Sequence, residues 1–321
     1  MGKFLQHFRT IMQWYYPYRI IAINISKNYT TVKFNMGIVA GLLAMSFWGT
    51  AIFLATIASR KLGNVLTLFW MQLFGFFIAL FYFAINYNSF SFIAVPQNLF
   101  ILIIVAALQV TAYLGFYKGL EKAEVSLVGP IGAAWGLVVA ILGVIFLKET
   151  LSPLQLLAVG LILIGIILLS VNIGNLLKSK KVNLSVGVKE GIIAMFGWGV
   201  SLFLLVFPSK DLGWFLPTLI FRFMVLQILV GYIAYSKIKF VPNKRNFPWK
   251  LLMAIGLFDV GGFFAYSFGV SGTQASIVAP IGSAFALVSV ILAKIFLKEK
   301  IDQNKMVGIL ALVGGLVLIS L

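Results

Sequence analysis

The sequence predicts an all-α membrane protein of ten transmembrane helices arranged as two inverted five-helix repeats. Three observations predict it: apolar runs of membrane-spanning length, charge confined to the breaks between them, and self-similarity at a fixed offset of 150 residues, as from Ala44 to Ala194. The chain has 321 residues, 61% hydrophobic and only 10% charged. A soluble chain carries about 25% charged residues. Runs such as "MGIVAGLLAMSFWGTAIFLATIA" and "LLAVGLILIGIILLSV" match the roughly 20 apolar residues needed to span hydrocarbon.

In chain order the spans are expected at 37–57, 64–85, 98–117, 124–147, 153–171, 188–207, 214–236, 249–269, 273–297 and 303–321. Pro96, Pro153, Pro217 and Pro248 lie near span starts, where a missing N–H is tolerated. The basic breaks "NLLKSKKVNLSVGVKE" and "SKIKFVPNKRNFPWK" read as loops. The expected organisation is a basic, aromatic tail over 1–35, a first unit over 36–172, a basic linker over 173–187 and a second unit over 188–321.

The repeat is carried by several matches in one register. "AMSFWG" at 44–49 matches "AMFGWG" at 194–199, and "SLVGPIGAA" at 126–134 matches "SIVAPIGSA" at 276–284. "IFLKE" occurs at 145–149 and at 295–299, and Gly165 and Ser170 fall on Gly315 and Ser320. A unit of five spans is odd, so its second copy enters the membrane from the opposite face. Inverted repeats are a common construction of secondary transporters, with the substrate site at mid-membrane between the halves.

The formal charge is +17, with nearly all Lys and Arg in short segments between apolar runs. That placement is a topology signal and argues against a nucleic-acid partner. The loop near 86–97 has no Lys or Arg, whereas its equivalent holds Lys237, Lys239, Lys244, Arg245 and Lys250. Lys148 stands alone against Lys298, Lys300 and Lys305. Both comparisons place the odd-numbered loops in the cytoplasm and both ends of the ten-helix core outside, in a plasma or inner membrane. The tail, with Lys3, Arg9, Arg19, Lys27 and Lys33, runs against this. It reads either as an interfacial segment or as translation from upstream of a start at Met36.

The chain has no cysteine, and its only histidine is His7 in the tail. Disulfides, thiol chemistry and thiolate metal sites are thereby excluded. No cofactor is implied. No Walker A motif is present, which argues against ATP drive within the chain.

At "WG" in span one, "SLVGPIGAAWGLVVAILGVIFLKETLS" in span four and the Gly-rich span five, the chain resembles an EamA-type carrier of the drug/metabolite transporter superfamily. The resemblance covers about 36–321. It implies ten helices, alternating access, and export or exchange of a small metabolite or drug. It also implies that both ends are cytoplasmic, opposite to what the loop charges indicate.

Charges deep in a span are costly and mark function. Arg222 and Asp259 lie roughly 12 and 15 Å from helix ends on one side, at about 1.5 Å per residue. At the repeat offset they correspond to Gln72 and Gln109. These four are expected to line or brace a central cavity, with Asp259 binding a substrate cation or a proton and Arg222 a carboxylate or phosphate. The alternative is an Arg222–Asp259 ion pair of purely structural use.

Pro130 and Pro280, with Gly132 and Gly282, read either as hinges of cavity-lining helices or as first-turn prolines. Trp48 and Trp198 are equivalent candidates for stacking on a substrate. Tyr113, Tyr117, Trp135, Tyr266, Ser267 and Gln274 are weaker ones. Glu149 and Glu299 read as boundary residues paired with nearby Lys. The glycines of spans five and ten read as close-packing positions that could support a homodimer.

The expected partners are a small-molecule substrate, with protons as one option, and membrane lipid. The leading reading is a secondary transporter, and the alternative is a channel or a non-transporting scaffold. The scarcity of acids and the lack of membrane histidine argue against an enzyme.

Overall fold

The computed structural model describes residues 27–123, 125–170, 187–242, 245–298 and 303–319. The expected linker, Glu299 and residues 1–26 of the tail lie outside these. Among the described residues every regular element is helical. They are α1 (Lys27–Leu62), α2 (Asn64–Ile85), α3 (Val95–Lys122), α4 (Val125–Ala133), α5 (Trp135–Phe146), α6 (Pro153–Ser170), α7 (Val188–Leu212), α8 (Leu216–Tyr235), α9 (Trp249–Gly272), α10 (Ala275–Ser283), α11 (Phe285–Phe296) and α12 (Gln303–Ile319). A helix pairs its own backbone internally, which hydrocarbon demands of any exposed segment.

Seven stretches have the length and apolarity to cross a membrane, and Ile131–Phe146, Pro153–Ile166 and Met306–Leu318 are shorter apolar helices. α1 starts at Lys27, upstream of the first span expected at 37–57, while its membrane-length apolar stretch begins at Met36. One sequence expectation needs correction. The fourth and ninth spans are each broken in two, at Ala134 and Ala284, where ψ rises from the helical value to 1° and 7°. Pro130 and Pro280 sit within α4 and α10, shortly before those breaks, so neither is a first-turn proline. A proline there removes a helical bond to the turn before it, and the short helix ends a few residues later.

Equivalent turns recur at the repeat offset. Gly63 (φ 83°) separates α1 from α2, and Gly213 (φ 78°) separates α7 from α8. Both lie in the left-handed region that glycine enters without penalty. Lys148 and Lys298 follow α5 and α11 with φ of 54° and 57°.

Packing repeats the same way, and mostly between halves. α1 lies along α9 as α7 lies along α3; α5 packs on α7 as α11 packs on α1; α6 and α12 run against each other. A Cβ at Gly41 would meet Ile281, and one at Gly191 would meet Ile131. A Cβ at Gly165 would meet the backbone of Leu312 and Gly308, and one at Gly315 that of Ile162 and Ala158. These last glycines are therefore used within the chain, while Gly160 and Gly314 face open space.

Charge is segregated along the bundle. Arg60 on α1 donates to the carbonyls of Leu120 and Ala123 at the end of α3, and Trp70 Nε1 donates to Phe240 beyond α8. These contacts gather Arg60, Lys61, Lys118, Lys122, Lys237 and Lys239 at one end, here called the basic end.

Because Gly165 abuts backbone, Gly165→Val is expected to force α6 from α12 and cost about 1–3 kcal/mol. Gly160→Ala, in open space, is expected to be neutral or to stabilise by up to about 1 kcal/mol. Thermal unfolding of the two variants in detergent checks the contrast.

Candidate functional site

The buried interior of the bundle holds one charged cluster. Arg222 projects from α8 and is fully buried, as is Gln72 on α2, while Asp259 on α9 is 2% exposed. Arg222 Nη2 donates to Asp259 Oδ2 at 2.5 Å, and Nη1 donates to Gln72 Oε1 at 2.6 Å. Tyr113 on α3 donates its hydroxyl to Asp259 Oδ1 at 2.5 Å. The guanidinium also lies 5.2 Å from the centre of the Phe263 ring, within cation–π range. Small residues open this space: a Cβ at Gly75 would stand 2.8 Å from Arg222 Nη1.

Both charges belong to the second half, and each is tied to a neutral group of the first. Charge-assisted bonds of this kind are roughly twice as strong as neutral ones. Gln72 and Arg222 are equivalent positions of the repeat, so their bond joins a residue to its own counterpart.

Beside the cluster is a cavity lined by Trp48, Ile52, Tyr113, Trp135, Trp198, Leu202, Asp259, Phe263 and Phe285. Eight of these form four pairs at the repeat offset: Trp48 with Trp198, Ile52 with Leu202, Tyr113 with Phe263, and Trp135 with Phe285. Asp259 is the ninth, and its counterpart Gln109 is not in the wall. The free volume is ≈ 20 Å³, about enough for one water. In this conformation the cavity is closed around its aromatic lining.

The lining rings meet mostly edge to face. Trp48 stands 5.7 Å and 85° from Trp135, and 5.2 Å and 78° from Phe263. Tyr113 stands 5.1 Å and 78° from Trp198. Trp48 Nε1, at the wall, has no hydrogen-bond acceptor, and Gln72 Nε2 and Arg222 Nε are buried without partners.

The candidates read from sequence divide into groups. Arg222, Asp259, Gln72 and Tyr113 come together, with Trp48 and Trp198 in the adjoining wall. Gln109 does not join them: it donates to Ser201 Oγ at 2.9 Å. Tyr266 packs on Trp48 and Trp135 and donates to the Leu202 carbonyl, behind the wall. Gln274 lies at a helix end and donates to the Thr150 carbonyl. Gly132 and Gly282 stand close to Trp198 and to Trp48, respectively, where the broken helices pass the lining.

Sequence reading missed Phe263 and Phe285, which are ordinary apolar residues until a fold is known. The repeat offset applied to Tyr113 and Trp135 points to both. It also misassigned Glu149, whose carboxylate accepts from the backbone N–H groups of Ala275 and Ser276, both at 2.9 Å, with no lysine involved. Among the described residues no group of three or more His, Cys, Asp or Glu is placed to hold a metal.

One carboxylate, held by Arg222 and Tyr113, stands at a space walled by aromatic rings.

An uncharacterised protein of Methanocaldococcus jannaschii is 33% identical over 135 residues, which cover 42% of this chain and 96% of that protein. One solved crystal structure shares the fold with a TM-score of 0.66 at 16% identity, covering 88% of this chain and 95% of the other. The sequence profile of the EamA-like transporter family matches twice, at residues 35–171 and 186–321. The chain is a multi-pass membrane protein belonging to the EamA-like transporter family.

Proposed function

We propose that the chain is a secondary transporter of small organic solutes, built as two inverted five-helix repeats crossing the membrane ten times. The observation that carries this is the cavity wall: four pairs of residues related by the repeat, with Asp259 as the one departure. A cavity shared equally by two inverted halves can be opened to either face by rocking one half against the other. The paired glycine contacts and the match to a half-length relative support the duplication.

The ten spans count each broken helix, α4 with α5 and α10 with α11, as one crossing. The basic end lies in the cytoplasm, following the rule that retained loops carry Lys and Arg.

The lining favours a solute with an apolar or aromatic body and one cationic or hydrogen-donating group. The rings offer faces to the body, and Asp259 offers a carboxylate to the group. Such a group, or a proton, competes with Arg222 for Asp259. Release of Arg222 leaves it with Gln72 from the other half, which couples occupancy of the cavity to the contact between halves. A channel or an inert scaffold is the other reading, favoured only by the closed cavity.

In proteoliposomes loaded with pooled metabolites, counterflow is expected to accumulate one compound class. Asp259→Asn is expected to lower that exchange about tenfold or more and to remove its response to pH, the loss anticipated when a buried charge partner goes. No exchange from any pool by well-folded protein overturns the transport reading.

A double-variant cycle separates cavity from architecture. Arg222→Gln or Asp259→Asn alone leaves a buried charge or its partner unmatched, at about 3–5 kcal/mol when a bare charge remains. The double variant is expected to unfold at a higher temperature than Arg222→Gln alone, without recovering exchange. Recovery of exchange together with stability assigns the pair to architecture.

A further inference from the structure

The two broken helices cross between the halves. Near their middles a Cβ on Gly136 of α5 would fall within 2.7 Å of the Ser283 Cβ and 3.1 Å of the Ala279 carbonyl on α10. Towards the basic end, α4 approaches α11, where a Cβ on Gly129 would lie 3.9 Å from Ser289 Oγ. Towards the other end, the last turn of α5 meets the first turn of α10.

At that end Lys148, with φ of 54°, reverses the chain. The N–H of Glu149 then donates to the Gly143 carbonyl at 3.3 Å. The carboxylate turns onto α10, Oε1 accepting from Ala275 N–H and Oε2 from Ser276 N–H, each at 2.9 Å. Gly143 makes room for it, since a Cβ there would stand 2.7 Å from Glu149 Oε2. Gln274 Nε2 adds a bond from the second half to the Thr150 carbonyl at 3.0 Å.

The first N–H groups of a helix need acceptors from outside it and carry partial positive charge. Helices ordinarily take that acceptor from their own N-cap side chain, which keeps the helix intact wherever it moves. Like α2, α3, α8 and α9, α10 has no side-chain bond from its N-cap residue, here Gln274. Its acceptors come from Glu149, in the other half of the chain. Two N–H groups at the α10 N-terminus are thereby satisfied by contact between the halves.

We propose that Glu149 is a latch between the halves, holding the cavity closed towards the end opposite the basic one and releasing α10 when that side opens. Opening there requires α5, whose first residue is the wall residue Trp135, to part from α10. That parting breaks both Glu149 bonds and the Gln274–Thr150 bond together. The use of the latch in a transport cycle rests on the function proposed above; its existence does not.

The chain has no cysteine, so single-cysteine reporters can be read cleanly. Ser283→Cys reports between α10 and α5, and Ser289→Cys reports on the basic side of the crossing; both serines are buried. In lipid nanodiscs, where both faces meet a water-soluble maleimide, Glu149→Ala is expected to speed labelling at 283 about tenfold or more, for the loss of two charge-assisted bonds. Labelling at 289 stays unchanged. Ala275→Pro removes one donor without touching Glu149. Proline is tolerated at a first helical position, and Gln274, at ψ 130°, already has the backbone that precedes proline. It is expected to speed labelling at 283 by a smaller factor.

An unchanged rate at 283 in both variants, or an equal rise at 283 and 289 from general loosening, overturns the latch. Selective opening at 283 in a protein that exchanges nothing keeps the latch and removes the transport reading.

Discussion

Everything else in the bundle accommodates one buried ion pair. Arg222 is fully buried, and an isolated charge in such surroundings costs several kcal/mol. Asp259 offsets that cost, Gln72 takes a second guanidinium N–H, and Tyr113 satisfies the remaining carboxylate oxygen. Four helices, α2, α3, α8 and α9, are fixed in depth and rotation by this set. The close approach of α2 to α9 follows, with Gly256 set against the Met71 carbonyl and Gly75 where no Cβ would fit. The ties to Gln72 and Tyr113 cross between halves, so the element that neutralises the charge also sets how the halves meet.

The fold was legible because hydrocarbon simplifies the code. Ten apolar runs and one offset followed from hydropathy and self-similarity, and the deep charges stood out because their burial is expensive. The rest depended on contacts that hydropathy does not encode. Gln109 looked equivalent to Asp259, yet Ser201 lies within its reach and holds it out of the cluster. Pro130 marked a hinge candidate, but the break falls four residues later at Ala134, where the apolar stretch itself gives no signal. Glu149 sat next to a lysine, and proximity in sequence suggested a pairing that the left-handed turn at Lys148 prevents.

Duplication explains which features come twice and which do not. The scaffold comes twice: glycines 63 and 213, lysines 148 and 298, and the glycine contacts of α6 with α12 all repeat. The chemistry comes once. Asp259 faces the cavity where Gln109 does not, and Tyr113 brings a hydroxyl where its counterpart Phe263 offers only a ring. The frame is thus close to symmetric, whereas the lining of the cavity is not.

The closed cavity constrains how such a frame can move. With free volume ≈ 20 Å³, a rocking motion that simply broke the central bonds would strand buried polar groups. Each stranded group costs about 1–3 kcal/mol, and a bare charge costs more. Motion becomes affordable only when bonds are exchanged rather than lost. Within the cluster Gln72 Nε2 and Arg222 Nε are buried donors that meet no protein acceptor, so the network keeps donors spare for an exchange of partners.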